Sequence, residues 1–484
     1  MSYLGLDLGT SGLKALLVDA DGAVIGQATR SYPVDHWRSG WSEQDPAHWV
    51  AALHGCVADL HARHPAFGGV RGIGVSGHMH GATLLDAQGA VLRPCILWND
   101  TRAHAEAAEM DADPPFRGIS GNIVFPGFTA PKLVWLRRHE PEVFARVAKV
   151  LLPAAYMNHV LTGDTVGDMS DAAGTSWLDM GARDWSDTLL RLSGMQPDQM
   201  PRLVEGCAAA GQLRDDLARD WGLTGPVIVA GGAGDNAAAA CGLGLTVEGQ
   251  GAVSLGTSGV VMVVRDGYRP APETAVHTFC HALPKRWYQM GVMLAATDNL
   301  NWFARLTGQT PEGLVGELGD QVQHPGEAVF RPYLAGERTP HNSPHLRAGF
   351  DRLGANTSRV DLTRAVLEGV CFGLRDNLDA LRATGAAPQY LFATGGGSRS
   401  DYWLHLLATV LNLPLRAPDE GVHGAALGAT RLGMIAATGC APESVVTPPR
   451  ACRSYDPIPG LVAPYEDAHA SFRADVSRHL ANLG

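Results

Sequence analysis

At ~100–200 residues per domain, the 484-residue chain allows two to four domains, and an ordinary globular balance of 45% apolar and 18% charged residues excludes disorder. Acidic residues outnumber basic ones 49 to 38, for a net charge of −11, and only four of the basic residues are lysines, so no nucleic-acid or anionic-membrane partner is expected. The eight cysteines form no Cys-x-x-Cys pair and the apolar N-terminus has no basic leader; buried thiols in a reducing cytoplasm are expected.

In chain order, Tyr3 to Leu8 reads as a strand, followed by a Gly/Thr/Ser turn and a second strand from Leu13 to Val18. The hairpin dipeptide Asp21-Gly22 and a third strand from Val24 to Tyr32 complete a meander. A helix is predicted from Pro46 to Leu60, a strand from Val70 to Ser76, another strand from Met79 to Leu85, and an amphipathic helix from Lys132 to Arg138. Pro226 to Ala230 reads as a buried strand, with a small helix starting at Asp235. Residues 253–259 then repeat residues 6–12, Val-Ser-Leu-Gly-Thr-Ser-Gly against Leu-Asp-Leu-Gly-Thr-Ser-Gly, and again an apolar strand follows, Val260 to Val264. A strand–turn–strand recurring at half the chain length predicts two α/β domains of one design facing each other across a cleft, residues 1–245 and 246–484. Later elements are a helix from Leu362 to Leu381, a strand from Tyr390 to Ala393, a helix from Tyr402 to Leu411, and the start of a close-packed helix in the Gly/Ala-rich stretch Gly421 to Gly433.

Several motifs carry chemistry beside a plainer use. Asp7 at a strand end, before Gly9-Thr10-Ser11, can orient a phosphate-bound Mg²⁺ while the turn's N–H and hydroxyl groups surround phosphate oxygens; alone, the same turn serves any hairpin. The second copy has Ser254 in place of the aspartate, so one metal-organising carboxylate is expected from the pair. Asp235, after a glycine turn, is either a helix N-cap or a general base that substrate can approach closely. Gly232, Gly234 and Ala237 match a dinucleotide-binding turn, but Asp235 would aim negative charge at the pyrophosphate and the next strand lacks the ribose-binding acid. Gly395-Gly396-Gly397 ahead of Ser400-Asp401 offers bare backbone to a nucleotide, or simply makes a tight turn. His78 and His80 on one strand face suggest a metal pair lacking a third ligand, or structural or substrate-facing histidines. Trp98-Asn99-Asp100-x-Arg102 is the kind of set that binds a hydroxyl-rich ligand, or a solvated loop, and Lys132 with Trp135 is assigned to packing.

With these residues in view, the chain strongly resembles the FGGY carbohydrate kinases of the actin-like, ribonuclease H-like ATPase superfamily. The resemblance runs from Leu4 to about Ala436 and is carried by residues 6–12, 41–46, 77–83, 96–100, 126–132, 168–174, 234–238, 255–259, 336–341 and 395–397. It implies two duplicated ribonuclease H-like domains flanking a catalytic cleft. Met79-His80, where glycerol-phosphorylating relatives carry Arg-Glu, resembles the pattern of the members that transfer phosphate from ATP to D-xylulose. The resemblance implies Asp235 as the catalytic base and Asp7 as the Mg²⁺-organising carboxylate. Gly9, Thr10, Ser11, Gly256, Thr257 and Ser258 would line the phosphates, and Gly396, Gly397 and Ser400 the adenosine. Met79, His80 and Asn236 would contact the ketose, with Trp98 and Asp171. ATP and Mg²⁺ are the expected cofactors, and a homodimer is compatible with the sequence. Alternatives left open are a kinase for a related ketopentose or pentitol and, in a different class, an actin-like ATPase of assembly or chaperone type.

Overall fold

The computed structural model describes residues 1–419 and 424–482, and in it the apolar runs become two seven-stranded sheets. The first holds β1 (Ser2–Leu8), β2 (Gly12–Asp19), β3 (Val24–Ser31), β4 (Val70–Gly77), β5 (Ala209–Gln212) and β6 (Ile228–Ala230), ordered β5-β6-β4-β1-β2-β3, with β7 (Ala233–Gly234) also on β4. The second holds β8 (Gly251–Leu255), β9 (Gly259–Arg265), β10 (His277–Cys280), β11 (Trp287–Met293), β12 (Leu391–Thr394), β13 (Leu415–Pro418) and β14 (Cys452–Tyr455), ordered β10-β11-β9-β8-β12-β13-β14.

Both sheets follow one plan. From β1 and from β8, an antiparallel meander runs to one side (β1-β2-β3 and β8-β9-β11). Two parallel neighbours and an antiparallel edge strand lie on the other side (β4, β6, β5 and β12, β13, β14). The repeated Gly-Thr-Ser-Gly is the first hairpin turn of each copy, between β1 and β2 and between β8 and β9. The duplicated α/β architecture expected from the repeat is therefore present, with β10 added to the second copy.

Strand alternation sorts the side chains of β1 onto two faces. Leu4, Leu6 and Leu8 enter a core shared with α1 (Pro46–Arg63), which Asp45 caps by accepting from the Ala47 N–H at 2.9 Å and which buries Trp49, Leu53, Val57 and Leu60. Tyr3, Gly5 and Asp7 alternate with them and so belong to the other face. The remaining helices that matter here are α2 (Thr129–His139), α3 (Met169–Ala172), α4 (Asp235–Gly242), α5 (Arg359–Ala383), α6 (Asp401–Leu411) and α7 (Gly424–Thr438). α5, started by a Ser358–Asp361 capping box, runs through the second core with α6.

α7 comes from the second half of the sequence but lies across β1 and β4 of the first sheet and against α4. Glycine makes this approach possible: a methyl group on Gly74 would enter the Ala429 carbonyl, and one on Gly428 the carbonyl of Ala238. The halves meet elsewhere too. The Asn122 amide donates to the Thr278 carbonyl at 3.0 Å and accepts from the Thr278 N–H at 2.9 Å, completing the outer edge of β10.

Most predicted elements shift by a few residues only. The β6 strand starts at Ile228 rather than Pro226, β3 stops at Ser31, and α2 starts at Thr129. The stretch Met79 to Leu85 differs in kind: residues 79 and 80 form a turn, and only Thr83–Leu85 is a strand. Of the Gly421 to Gly433 stretch, residues 421–423 lie outside the described residues, and α7 runs from Gly424. Among the described residues no helix is long and apolar enough to cross a membrane.

Candidate active site

Asp7 and Asp235 approach each other because their strands flank β4. In register, Ser76 of β4 faces Asp7 on one side and Ala233 of β7 on the other, at the usual strand spacing of ~4.8 Å. Asp7 Oδ1 accepts from the Ser76 hydroxyl at 3.1 Å; burial raises its pKa, opposed by Ser76 and by Lys14. Asp235 Oδ1 accepts from the Asn236 backbone N–H at 2.7 Å and from the Asn236 amide at 3.0 Å. Burial, and then the neighbouring Asp7 charge, push Asp235 up to about 6 against those two hydrogen bonds. Gly234, not Asp235, is the N-cap of α4, and Asp235 is the first residue inside the helix.

The two Gly-Thr-Ser turns are held differently. In the first, the Tyr32 hydroxyl donates to the Gly9 carbonyl at 2.5 Å, the Gln44 amide to the Thr10 carbonyl at 2.6 Å, and the Trp98 indole N–H to Thr10 Oγ1 at 3.0 Å, while Ser11 is exposed. In the second, the Gly256 carbonyl accepts from Thr297, and Thr257 and Ser258 are exposed. Gly395, at φ 85°, presses against the second turn: a Cβ there would lie 2.6 Å from the Leu255 carbonyl oxygen. That contact sets Gly396, Gly397 and Ser400 along a cavity of about 890 Å³ whose other walls include Thr297, Asn301, Glu312 and Tyr402. The volume suits a nucleoside.

Beyond Asp235, Met79 is buried against the glycine turn, so that a Cβ on Gly234 would sit 2.7 Å from its Cγ. His80 adopts φ 69°, an uncommon conformation for a residue with a side chain, and its ring stacks on Phe128 with centroids 4.5 Å apart. Its Nδ1 donates to the Gly174 carbonyl at 2.7 Å, which leaves Nε2 an acceptor, and burial lowers its pKa to about 3, keeping it neutral. His78 and His80 therefore do not share a strand face. His78 directly follows β4, with its ring edge-on to Trp49 and both ring nitrogens buried and, among the described residues, unpartnered. Among the described residues no group of three or more His, Cys, Asp or Glu side chains has the arrangement of a metal site.

α3 supplies the remaining wall. Asp168 caps it, accepting from the Ser170 N–H at 2.6 Å and from the Ser170 hydroxyl at 2.5 Å. Ser170 Oγ in turn accepts from the Gly234 N–H at 3.1 Å, which ties α3 to the residue before Asp235. Burial raises Asp168 to about 7. Asp171 is also buried, with neither carboxylate oxygen partnered, and burial, Asp168 and Asp235 all raise its pKa.

Two sequence assignments change. Asp100 and Arg102 are turned into the protein: they form a buried ion pair, Arg102 also meets Glu43 at 2.7 Å, and Asp100 accepts from the Ser42 N–H at 2.7 Å. Of that set only Trp98, 47% exposed, and Asn99 face solvent. Lys132 is no packing residue: its ammonium group, buried and lowered to about 7 by desolvation, donates to the His80 carbonyl at 2.8 Å and the Gly127 carbonyl at 2.7 Å. Sequence reasoning also missed Tyr32, Gln44 and Ser170. A lysine in an otherwise apolar helix start, in a chain with three others, was the one available signal.

Family models describe the chain in two pieces: residues 2–242 match the N-terminal domain, and residues 251–437 the C-terminal domain, of the FGGY family of carbohydrate kinases. The chain is 47% identical over 437 residues to a xylulose kinase of Escherichia coli K12, covering 90% of each. It is similar to a crystal structure described as a xyloylose kinase from Brucella ovis, with a TM-score of 0.99, 55% identity and full coverage of both chains. A glycerol kinase of Plasmodium falciparum solved with ADP aligns at a TM-score of 0.89 and 18% identity, over 99% of this chain and 98% of the other, a likeness of fold alone.

Proposed function

Because the chain belongs to the FGGY family of carbohydrate kinases, with their two-domain actin-like fold, it is a sugar phosphotransferase, and we propose that it transfers the γ-phosphoryl group of ATP to D-xylulose, giving D-xylulose 5-phosphate. What carries the choice of sugar is the likeness to a xylulose kinase over 90% of both chains.

In this reading residues 1–245 bind the sugar and hold the base, and residues 246–484 bind the nucleotide. Gly396, Gly397 and Ser400 border the adenosine cavity, and Gly9, Thr10, Ser11, Gly256, Thr257 and Ser258 border the phosphates. Met79, His80, Asn236, Trp98 and Asp171 surround the ketose. The buried Asp171 carboxyl, unpartnered among the described residues and with its pKa raised by burial and by Asp168 and Asp235, is left to bond sugar hydroxyls, and His80 Nε2 accepts.

Asp235 takes the proton of the terminal hydroxyl as that oxygen bonds to the γ-phosphorus and the bond to the ADP oxygen breaks. A carboxylate near 6 suits the task, since it is mostly ionised at neutral pH yet holds the proton well enough to draw it off. The donor set fits Mg²⁺: Asp7 keeps a carboxylate oxygen beyond its Ser76 bond, and phosphate oxygens and water supply the rest. Mg²⁺ supplies neutralisation of charge on the phosphates. Positioning and charge stabilisation then provide most of the acceleration.

The test is ADP release measured across pentuloses, pentitols and a sugar-free control. D-Xylulose should give the highest kcat/KM. Better turnover of ribulose or a pentitol would reassign the sugar, and sugar-independent ADP release would return the chain to the actin-like ATPase alternative.

A further inference from the structure

Thr10 is gripped by two side chains that the sequence motifs assigned elsewhere. Gln44 is buried and fully occupied: its Nε2 donates to the Thr10 carbonyl at 2.6 Å and the Pro33 carbonyl at 3.1 Å, and its Oε1 accepts from the Trp49 indole at 3.1 Å. Because an indole N–H only donates, the amide can sit one way round, with its two N–H bonds on the carbonyls. Trp98 Nε1 meets Thr10 Oγ1 at 3.0 Å. By the same rule the threonine oxygen must be the acceptor there. Its own O–H is then free to donate, and among the described residues no acceptor takes it. The buried Asp100–Arg102–Glu43 cluster lies next to both residues in sequence, beside Trp98 and beside Gln44, and so fixes the base of the clamp. Thr257, the matching residue of the second turn, is exposed; its carbonyl accepts from the Ala296 backbone N–H at 2.7 Å, and among the described residues no side chain grips it.

We propose that Trp98 and Gln44 are positioning residues that preset Thr10 as a one-directional hydrogen-bond donor to a phosphate oxygen of the nucleotide, Trp98 acting through its N–H. The inference rests on the assignment of this turn to phosphate. It separates two uses of Trp98: the ring face is available to the sugar, while the N–H serves the nucleotide.

Trp98→Phe keeps an aromatic face, though a smaller one, and removes the N–H, at an exposed position where folding is not at stake. Calorimetric titration with Mg-ADP, without sugar, reads the nucleotide side; initial rates at varied ATP and varied xylulose read both. Loss of one hydrogen bond predicts Mg-ADP binding weakened about 3–10-fold, whatever the smaller ring does to the xylulose KM. Thr10→Val should weaken Mg-ADP at least as much, Thr10→Ser should restore it, and Trp98→Phe added to Thr10→Val should cost nothing further, since both act through one hydroxyl. Additive losses, or a rise in the xylulose KM with Mg-ADP affinity intact, overturn the proposal. If the wild-type chain itself fails to bind Mg-ADP, the assignment of the turn falls and this inference with it; if it binds and Trp98→Phe is silent, only the inference falls.

Discussion

Replacing Asp235 by asparagine tests the base directly. The amide oxygen can keep accepting from the Asn236 N–H and amide, now at 2.7 and 3.0 Å, so the turn and α4 should be undisturbed. What disappears is the capacity to take a proton, a contribution of ~10²–10⁴-fold in typical enzymes, and kcat should fall by at least the lower figure while xylulose still binds. The pH profile gives a second magnitude. With a pKa of about 6, the wild-type carboxylate is about nine-tenths ionised at pH 7 and one-tenth at pH 5, so kcat/KM should drop roughly tenfold across that interval. Asp235→Asn should lose this limb. Stability should move the other way. The folded pKa lies above the ordinary aspartate value of 3.8, so the folded state binds the extra proton and stability falls as pH rises from about 4 to about 6. At ~1.4 kcal/mol per pH unit, the cost at neutral pH is at most ~3 kcal/mol, and less because the group is only half-buried. The variant escapes that cost, so it should melt no lower than wild type at pH 7 and show no advantage at pH 4. A coupled ADP-release assay alongside thermal melts measures both. Turnover within about tenfold of wild type, or an unchanged acid limb, would refute the assignment of Asp235 as base.

Three further substitutions follow from contacts around it. Ser170→Ala removes the acceptor of the Gly234 N–H; a buried unsatisfied donor costs ~1–3 kcal/mol, so melting should drop, and kcat should fall more than the xylulose KM rises. Lys132→Met strips the buried donor from the His80 and Gly127 carbonyls, leaving His80 to relax from its left-handed conformation; the xylulose KM should rise about tenfold with Mg-ADP affinity unchanged by calorimetry. Gly74→Ala drives a methyl group into the Ala429 carbonyl and should destabilise by ~1–3 kcal/mol or more, measured by chemical denaturation; a neutral outcome would mean that α7 is not seated on β4.

The two Gly-Thr-Ser turns were legible because their structure is local: strand, short turn and strand within a dozen residues, repeated once. Asp235 stood out for the same reason. The conformation of His80 was not legible, since its positive φ depends on the Gly174 carbonyl and on Lys132, both distant in sequence. Asp100 and Arg102 looked like ligand-binding groups because nothing in their neighbourhood reveals Glu43, which pairs with Arg102 from another segment. The glycines at 5, 72 and 74 read as ordinary strand residues. Their meaning appears only when α7 is laid against them.

That placement of α7 bears on how the protein is made. The first sheet cannot cover Tyr3, Leu16 and Val18 until a helix ending at Thr438 is available, so during translation its apolar back stays bare while most of the chain is still being synthesised. A polypeptide stopped near residue 245 would expose that surface permanently and invite chaperones or aggregation, whereas the two halves produced as separate polypeptides in one cell would recover a soluble, associated pair.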